Sequence, residues 1–347
     1  MRIASFNVEN LFSRARALNL ETWSEGKEIL NDYSQLNKLL QKPTYMAADK
    51  QKILQLIKKL GLSKSDQSKF VILRQNRGHL LKRPASGSPQ VIADGRGSWI
   101  GWVELKTEAV NEIATTMTAK VIKDVDADVF SVIEAEDRIA LKNFNQQLLK
   151  PIGSEYSSIM LIDGNDDRGI DVGLFTKPGF SIESIVSHVD DNENGSTIFS
   201  RDCPEFTIKI NDSAKILLMV NHFKSKGFGS PAVSNRKRKA QAQRVRDIYE
   251  MRKAQGIDLI AITGDFNDTP DSDPLSPLLT NGSDLRDIFL HPVFDNDGRP
   301  GTFGNCTASQ KIDYLLLSPK LFVKVTGGGV LRKGILGRYK RYSLPSL

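Results

Sequence analysis

Cysteine is nearly absent: Cys203 and Cys306 are the two in 347 residues. Two thiols build neither a disulfide framework nor a cysteine-bound zinc site, so a reducing compartment is the default and a hydrophobic core must carry the fold. No apolar run reaches the ~20 residues of a membrane span. Met1 leads straight into strand-like residues, with no apolar segment behind a basic start, which argues against a secretory signal and for a cytoplasmic protein. Internal repeats and low-complexity tracts are missing. So are Gly-x-Ser-x-Gly and His-Glu-x-x-His, which removes two familiar hydrolase signatures. Gly327 to Gly329 has no Lys-Ser/Thr after it and is no nucleotide loop. Asp190, Asn192, Asn194 and Gly195 open like a calcium loop, but Arg201 stands where a bidentate glutamate belongs, so a polar turn is expected. What remains is ordinary for a globular protein, with 39% hydrophobic and 26% charged residues. The formal charge of +7 leans towards an anionic partner.

The chain is organised around LIAITGDFND, Leu259 to Asp268. A short apolar run is broken by Gly264, and Asp265 and Asn267 follow with the same parity, so both side chains aim one way on an extended chain. Buried strands that end in a polar pair put those groups at the sheet edge, where α/β sites form. An acid and an amide at one spot suit water activation and oxyanion binding; a capped turn is the bland alternative.

The same layout recurs along the chain. Arg2 to Val8 reads as a strand carrying Asn7. Residues 13 to 106 read as an insertion, with a helix on Ile53, Leu56, Ile57 and Leu60 stopped by Gly61, a loop from Pro84 to Gly97, and Trp99 and Trp102 as anchors to the core. Val110, Ile113, Ala114, Met117 and Val121 mark a helix with an apolar face. The strand Val129 to Ile133 comes next, with Glu134 just past its end. Strands are expected at Ser157 to Ile162 and Asp171 to Phe175, joined by the acidic turn Asp163 to Arg168. Phe206 to Ile210 and Lys215 to Val220 read as a hairpin closed by Asn211 and Asp212. The helix Arg236 to Ala254 turns Ala242, Val245, Ile248 and Tyr249 inward and its basic residues outward. Ile312 to Leu317, carrying Asp313, and Leu321 to Val325 complete the strands. Alternating strands and helices predict α/β layers.

Asn7, Glu134, His222, Asp265 with Asn267, and Asp313 thus stand at or near strand ends, and their convergence on one site is expected. Oxygen donors without cysteine favour Mg²⁺ or Mn²⁺ over zinc. Lys224 and Lys226 beside His222 tilt that histidine towards a phosphate. His79, His188 and His291 read as structural or surface residues. The basic run from Arg236 to Lys239, continued by Arg244 and Arg246, is either a solvated helix face or a set of backbone-phosphate contacts.

Read together, SFNVENLF at Ser5 to Phe12, ADVFSVIEAED at Ala127 to Asp137, RGIDVGLF at Arg168 to Phe175, FSRD at Phe199 to Asp202, NHFKSK at Asn221 to Lys226, TGDFND at Thr263 to Asp268 and KIDYLLLS at Lys311 to Ser318 resemble the endonuclease/exonuclease/phosphatase superfamily, in its uncharacterised bacterial branch. The resemblance covers the chain apart from the insertion. It implies one domain over residues 1 to 347, folded as a four-layer α/β sandwich with two mixed β-sheets face to face and helices outside. It implies metal-dependent hydrolysis of a phosphate ester, with Glu134 and Asn7 at the Mg²⁺ or Mn²⁺. By the same resemblance Asp265 activates water, Asn267 holds a phosphate oxygen, His222 donates to the phosphate or leaving group and Asp171 orients its imidazole. Arg168 and Arg201 would bind phosphate, joined by Lys224, Lys226 and Arg236, and Asp313 would orient a further histidine. The superfamily's terminal Ser-Asp-His motif does not occur before Leu347. A sequence lacking its natural C-terminus is the expected reason, and the activity of the chain as written is correspondingly in question.

The expected function is a monomeric phosphodiesterase or nuclease acting on nucleic acid. Phosphatase or phosphodiesterase action on small or lipid-linked phosphates would use the same core. A module that binds phosphate or nucleic acid without turnover is the reading from a different class.

Overall fold

The computed structural model describes residues 1–20, 22–227 and 230–333. The basic segment Arg332 to Tyr342 and the chain end fall, beyond residue 333, outside the described residues. Two compact units are present, one of Met1–Phe12, Val110–Lys226 and the chain from Ser230 onward, the other chiefly Ser13–Ala109. After strand β1 (Ile3–Asn7) the chain leaves the first unit at Phe12 and returns at Val110, whose N–H donates to the Phe12 carbonyl at 2.8 Å.

The Ser13–Ala109 unit has a core of its own. Helices α1 (Trp23–Leu40) and α2 (Ala47–Lys59) pack Leu36, Leu40, Ile53, Leu56 and Ile57 against the hairpin of β2 (Val71–Arg77) and β3 (Ile100–Leu105). α2 stops at Leu60, where Gly61 takes φ +75°. Trp99 belongs to this local core, fully buried with its indole N–H on the Tyr45 hydroxyl at 2.8 Å, whereas Trp102 is exposed on β3. The expected pair of anchors is therefore one core residue of the insertion and one surface residue. The Pro84 to Gly97 stretch is not all loop either: Gln90–Val91 pairs with Leu81–Lys82.

The first unit is a four-layer sandwich. Helices α3 (Glu112–Val125) and α4 (Arg138–Phe144) cover a four-stranded mixed sheet of β1, β4 (Val129–Ala135), β5 (Ser158–Ile162) and β6 (Asp171–Thr176), in the order β1-β4-β6-β5. The second sheet, also mixed, holds β7 (Ser181–Val186), β8 (Glu205–Asn211), β9 (Ala214–His222), β10 (Ile260–Asp265), β11 (Arg286–Asp287) and β12 (Asp313–Leu317), in the order β7-β8-β9-β10-β12-β11. Its outer face is covered by α5 (Pro231–Ala254). Alternation sorts each strand between layers. Ile260 and Ile262 of β10 face α5, while Ala261 faces the other sheet among Val129, Ile133, Leu174, Leu218 and Val220. Midway along that interface the Thr263 hydroxyl donates to Ser131 at 2.8 Å, satisfying two buried hydroxyls at once. No helix among the described residues is long and apolar enough to cross a membrane.

Four local expectations are corrected. Gly264 does not end its strand, because β10 runs through it to Asp265; a Cβ there would lie 1.8 Å from the Asn221 carbonyl oxygen, so glycine lets the parallel strands close up. Leu321–Val325 is no strand: Pro319 at the first helical position starts a short helix, Pro319–Phe322. α3 buries Thr115, Ala119 and Ile122 and leaves Ile113 exposed, since the Thr115 hydroxyl bonds the Leu11 carbonyl at 2.8 Å and sets the rotation of the helix. Finally, Arg238 of the basic helix is fully buried. Asn192 to Thr197 is the expected polar turn, a two-residue hairpin loop with Asn194 and Gly195 both at positive φ.

Candidate active site

Both sheets send polar groups to one end of the sandwich. On β9, His222 shares parity with Leu218 and Val220, so its imidazole faces the opposite sheet, and its backbone registers with Asp265 of the parallel strand β10. Asp265 in turn registers with Asp313 of β12. From the other sheet, Asn7 at the end of β1 extends its amide to the Asp265 carboxylate at 3.3 Å.

Glu134 reaches the same place by a backbone irregularity. It lies inside β4, where parity alone would aim it at the helices beside Val132. The register with β6 jumps from Asp171↔Ala135 to Val172↔Ile133, leaving Glu134 as a bulge at φ +63°. Bulges of this kind re-aim a side chain, and a left-handed glutamate costs about 1 kcal/mol or more. The result is a Glu134 carboxylate oxygen 3.4 Å from His222 Nε2, with Asp265 4.0 Å from the same nitrogen. Asn267 is also left-handed, φ +54°. Its N–H donates to Asp265 at 2.8 Å and its amide to the Phe223 carbonyl at 3.1 Å, which fixes both members of the Asp-x-Asn pair.

On the second sheet, each of the three inward polar residues is followed by a ring on the other face. Phe223, Phe266 and Tyr314 come directly after His222, Asp265 and Asp313, and they stack with centroids 4.6 and 4.8 Å apart. The Tyr314 hydroxyl ends the stack on the Asp268 carbonyl at 2.8 Å. Three strand ends are thereby locked from behind the site.

Cations occupy the neighbouring ground. Arg168 grips Asp166 through two bonds of 2.7 and 2.5 Å, and Arg201 adds a contact to Asp166 at 3.2 Å. Together they hold Asp166 well below the usual carboxylate range despite its burial. Arg201 is itself fully buried, yet its Nε and Nη1 have no hydrogen-bond partner among the described residues. Burial and these two guanidinium groups push the His222 imidazole well below its ordinary value, and its Nδ1 likewise has no hydrogen-bond partner among the described residues. Burial first, then Arg168 and Arg201, push Lys224 down to about 8. The carboxylates move the other way: burial raises Glu134, and burial with the Asp313 charge raises Asp265 well above its ordinary value. Asp313 rises to about 6 and Asp171 to about 7, both mainly through burial.

The structure thus brings Asn7, Glu134, His222, Asp265, Asn267 and Asp313 together, with Arg201, Arg168 and Lys224 close enough to act on their charges. Other candidates stand differently. No hydrogen bond joins Asp171 to His222; Asp171 accepts the Gly164 N–H at 2.9 Å instead. Asp313 accepts no histidine among the described residues, and its N–H donates to the Thr302 hydroxyl at 3.1 Å. Lys226 is drawn to Asp268 at 2.5 Å. Arg236 is exposed on α5. Most of its basic neighbours are engaged within the fold: Arg238 with Asp268 and the Lys224 carbonyl, Lys239 with Asp273, Arg244 with Asp191 and Arg246 with Glu250. Asp166 and Arg238 were not legible as site or supporting residues in the sequence. His188, read as structural or surface, is buried between Asp191 and Glu205, 2.9 Å from each.

The sequence profile of the Endonuclease/Exonuclease/phosphatase family matches residues 112–335, well over half of the chain. The chain belongs to that family. Every residue of the site except Asn7 falls inside the matched range. Members of the family are hydrolases of phosphate esters, and that is the reaction class of this chain. Among solved structures, a family protein from Bacteroides thetaiotaomicron is 18% identical, with 59% of this chain and 73% of that one covered at a TM-score of 0.45. A mannosyl-6-phosphatase of the same organism is also 18% identical, over 59% and 76% of the two chains, at 0.45. The human Nocturnin catalytic domain with bound sulfate is 17% identical, over 61% and 77%, at 0.45. No curated protein matches the sequence.

Proposed function

We propose that this chain hydrolyses phosphodiester bonds of nucleic acid by in-line attack of water, with Mg²⁺ or Mn²⁺ held at Glu134 and Asn7. One observation carries the reading. The half-buried Glu134 and buried Asp265 carboxylates, both with raised pKa values, lie against His222 Nε2, and Arg201, two of whose guanidinium nitrogens have no hydrogen-bond partner among the described residues, acts on the same imidazole. The first group calls for a cation and the second for an anion, and a metal-bound phosphate ester is both.

The donor set fits a hard cation. Among the described residues no three His, Cys, Asp or Glu side chains form a complete metal cage. Mg²⁺ keeps most of its waters, however, and takes one or two carboxylates plus substrate oxygens. When bound, the cation neutralises charge developing on the phosphoryl oxygens. The remaining work falls to the protein. Asp265, fixed by Asn7 and the Asn267 N–H, orients water and takes its proton. Asn267 and Arg201 bind the non-bridging oxygens, and neutral His222 donates a hydrogen bond to the phosphate or leaving oxygen.

The test is cleavage of supercoiled plasmid and of a labelled single-stranded oligonucleotide in Mg²⁺ and in Mn²⁺, with EDTA and Asp265→Ala as controls. Cleavage abolished by both controls is the expected result. Undiminished cleavage by Asp265→Ala would discard the site assignment. A second reading, hydrolysis of a terminal phosphate on a small ester, is favoured by one feature: the cations cluster at the site while those of α5 are engaged internally. Release of inorganic phosphate from sugar or nucleoside monophosphates, with intact oligonucleotide, would select it. Binding without turnover on either panel would select a non-catalytic module.

A further inference from the structure

The positive charge is not spread over the chain. Residues 13–109 hold 17 Lys and Arg against 9 Asp and Glu, a net +8, while the remaining residues hold 31 against 32. The unit bearing the site is therefore almost neutral, and the whole basic excess sits on the inserted unit. A basic excess of this size on one unit favours an anionic partner for that unit.

One face of that unit is also shaped for such a partner. In the β2–β3 ribbon, Val71, Leu73, Val103 and Leu105 turn inward, and Gly101 lies tight against the Trp99 ring. The outward positions are Ile72, Arg74 and Arg77 on β2 and Ile100, Trp102 and Glu104 on β3, with Arg74 directly opposite Trp102 and Arg77 opposite Ile100. Trp102 is 45% exposed. Arg74 is held on the same face by Glu104 at 2.8 Å, and Asn76, Arg77, His79 and Lys82 continue the exposed surface. A rigid sheet face that offers an indole between arginines matches the way unpaired bases stack on aromatic rings while phosphates meet guanidinium groups. The acid Glu104 and the amide Asn76 among these residues suit base edges and do not suit an anionic bilayer.

We propose that the outer face of this ribbon binds single-stranded nucleic acid, with a base stacked on Trp102 and phosphates on Arg74 and Arg77. The proposal rests on nucleic acid being the substrate, but its test does not use turnover. Full-length protein in EDTA is titrated against a fluorescein-labelled oligodeoxythymidylate and an oligouridylate, read by anisotropy. Trp102→Ala is expected to weaken binding about tenfold or more, and Trp102→Phe to restore most of it. Arg74→Ala with Arg77→Ala is expected to shrink the slope of log affinity against log salt by about 1.4. Hydrolysis of bis(p-nitrophenyl) phosphate stays as in the wild type in all of these variants. Unchanged oligonucleotide affinity when Trp102→Ala, Arg74→Ala and Arg77→Ala are combined overturns the proposal. So does a face that binds phosphatidylserine vesicles, with the same variants abolishing that binding and sparing the oligonucleotide. If the oligonucleotide data come out as expected while no ester is hydrolysed, the ribbon stands and the catalytic reading falls.

Discussion

Glu134 and Asp313 show how single residues set the charge state of the site. Burial lifts Asp313 from an ordinary 3.8 to about 6 and Asp171 to about 7. The folded protein therefore holds protons that the unfolded chain has already released, and stability falls as pH rises through that window. In EDTA, denaturant unfolding at successive pH values should show this loss. Asp313→Asn should lessen it by about 2 kcal/mol, since each tenfold change in proton affinity is worth about 1.4 kcal/mol and the side chain keeps some solvent. A slope identical to that of the wild type would mean that Asp313 is not the group being titrated. The chemistry of these acids was legible in the sequence as polar residues after apolar runs. The way Glu134 arrives was not, because parity sends it to the wrong face and only the bulge at φ +63° returns it. Nor was Asp166, whose two arginines lie 2 and 35 positions further along the chain and meet it only after folding.

At the level of elements, the strand ends are held as a group by the stacked rings of Phe223, Phe266 and Tyr314. Phe266 is the middle ring and fully buried. Phe266→Ala should cost about 3–5 kcal/mol of stability. Phe266→Leu, which keeps most of the volume, should cost less and still lower kcat, because Asp265 is aimed by the backbone that the ring locks. Thermal unfolding together with steady-state hydrolysis checks this; Phe266→Leu with wild-type kcat would reduce the stack to a core contact. Periodicity located most strands of the sandwich within a residue or two and assigned the inward face of α5 correctly. It failed where side chains bond to backbone. The Thr115 hydroxyl turns α3 away from its most apolar stripe, and Arg238 is buried because it ties Asp268 to the Lys224 carbonyl. A count of charges cannot tell such an arginine from a solvated one.

For the whole molecule, the proposal assigns chemistry to the sandwich and attraction to the insertion. The insertion leaves and rejoins at adjacent backbones, Phe12 and Val110, and among the described residues its hydrophobic core shares none with the clusters of the sandwich. Replacing residues 13–109 with a short glycine linker should therefore leave the sandwich folded, since a loop of a few residues closes that gap at small entropic cost. The formal charge changes from +7 to −1 with the excision. Hydrolysis of bis(p-nitrophenyl) phosphate by the excised protein should stay within about threefold of the full chain, because every group of the site remains. Oligonucleotide binding should fall about a hundredfold, and its salt dependence should flatten as the phosphate contacts go. Circular dichroism and thermal unfolding establish whether the sandwich is intact, which makes the hydrolysis and binding measurements decisive. If the small ester is lost along with the oligonucleotide in a folded protein, the insertion shapes the site itself and the separation is wrong. If the oligonucleotide is kept, the polyanion is held by the sandwich, and the charge on the insertion serves some other contact.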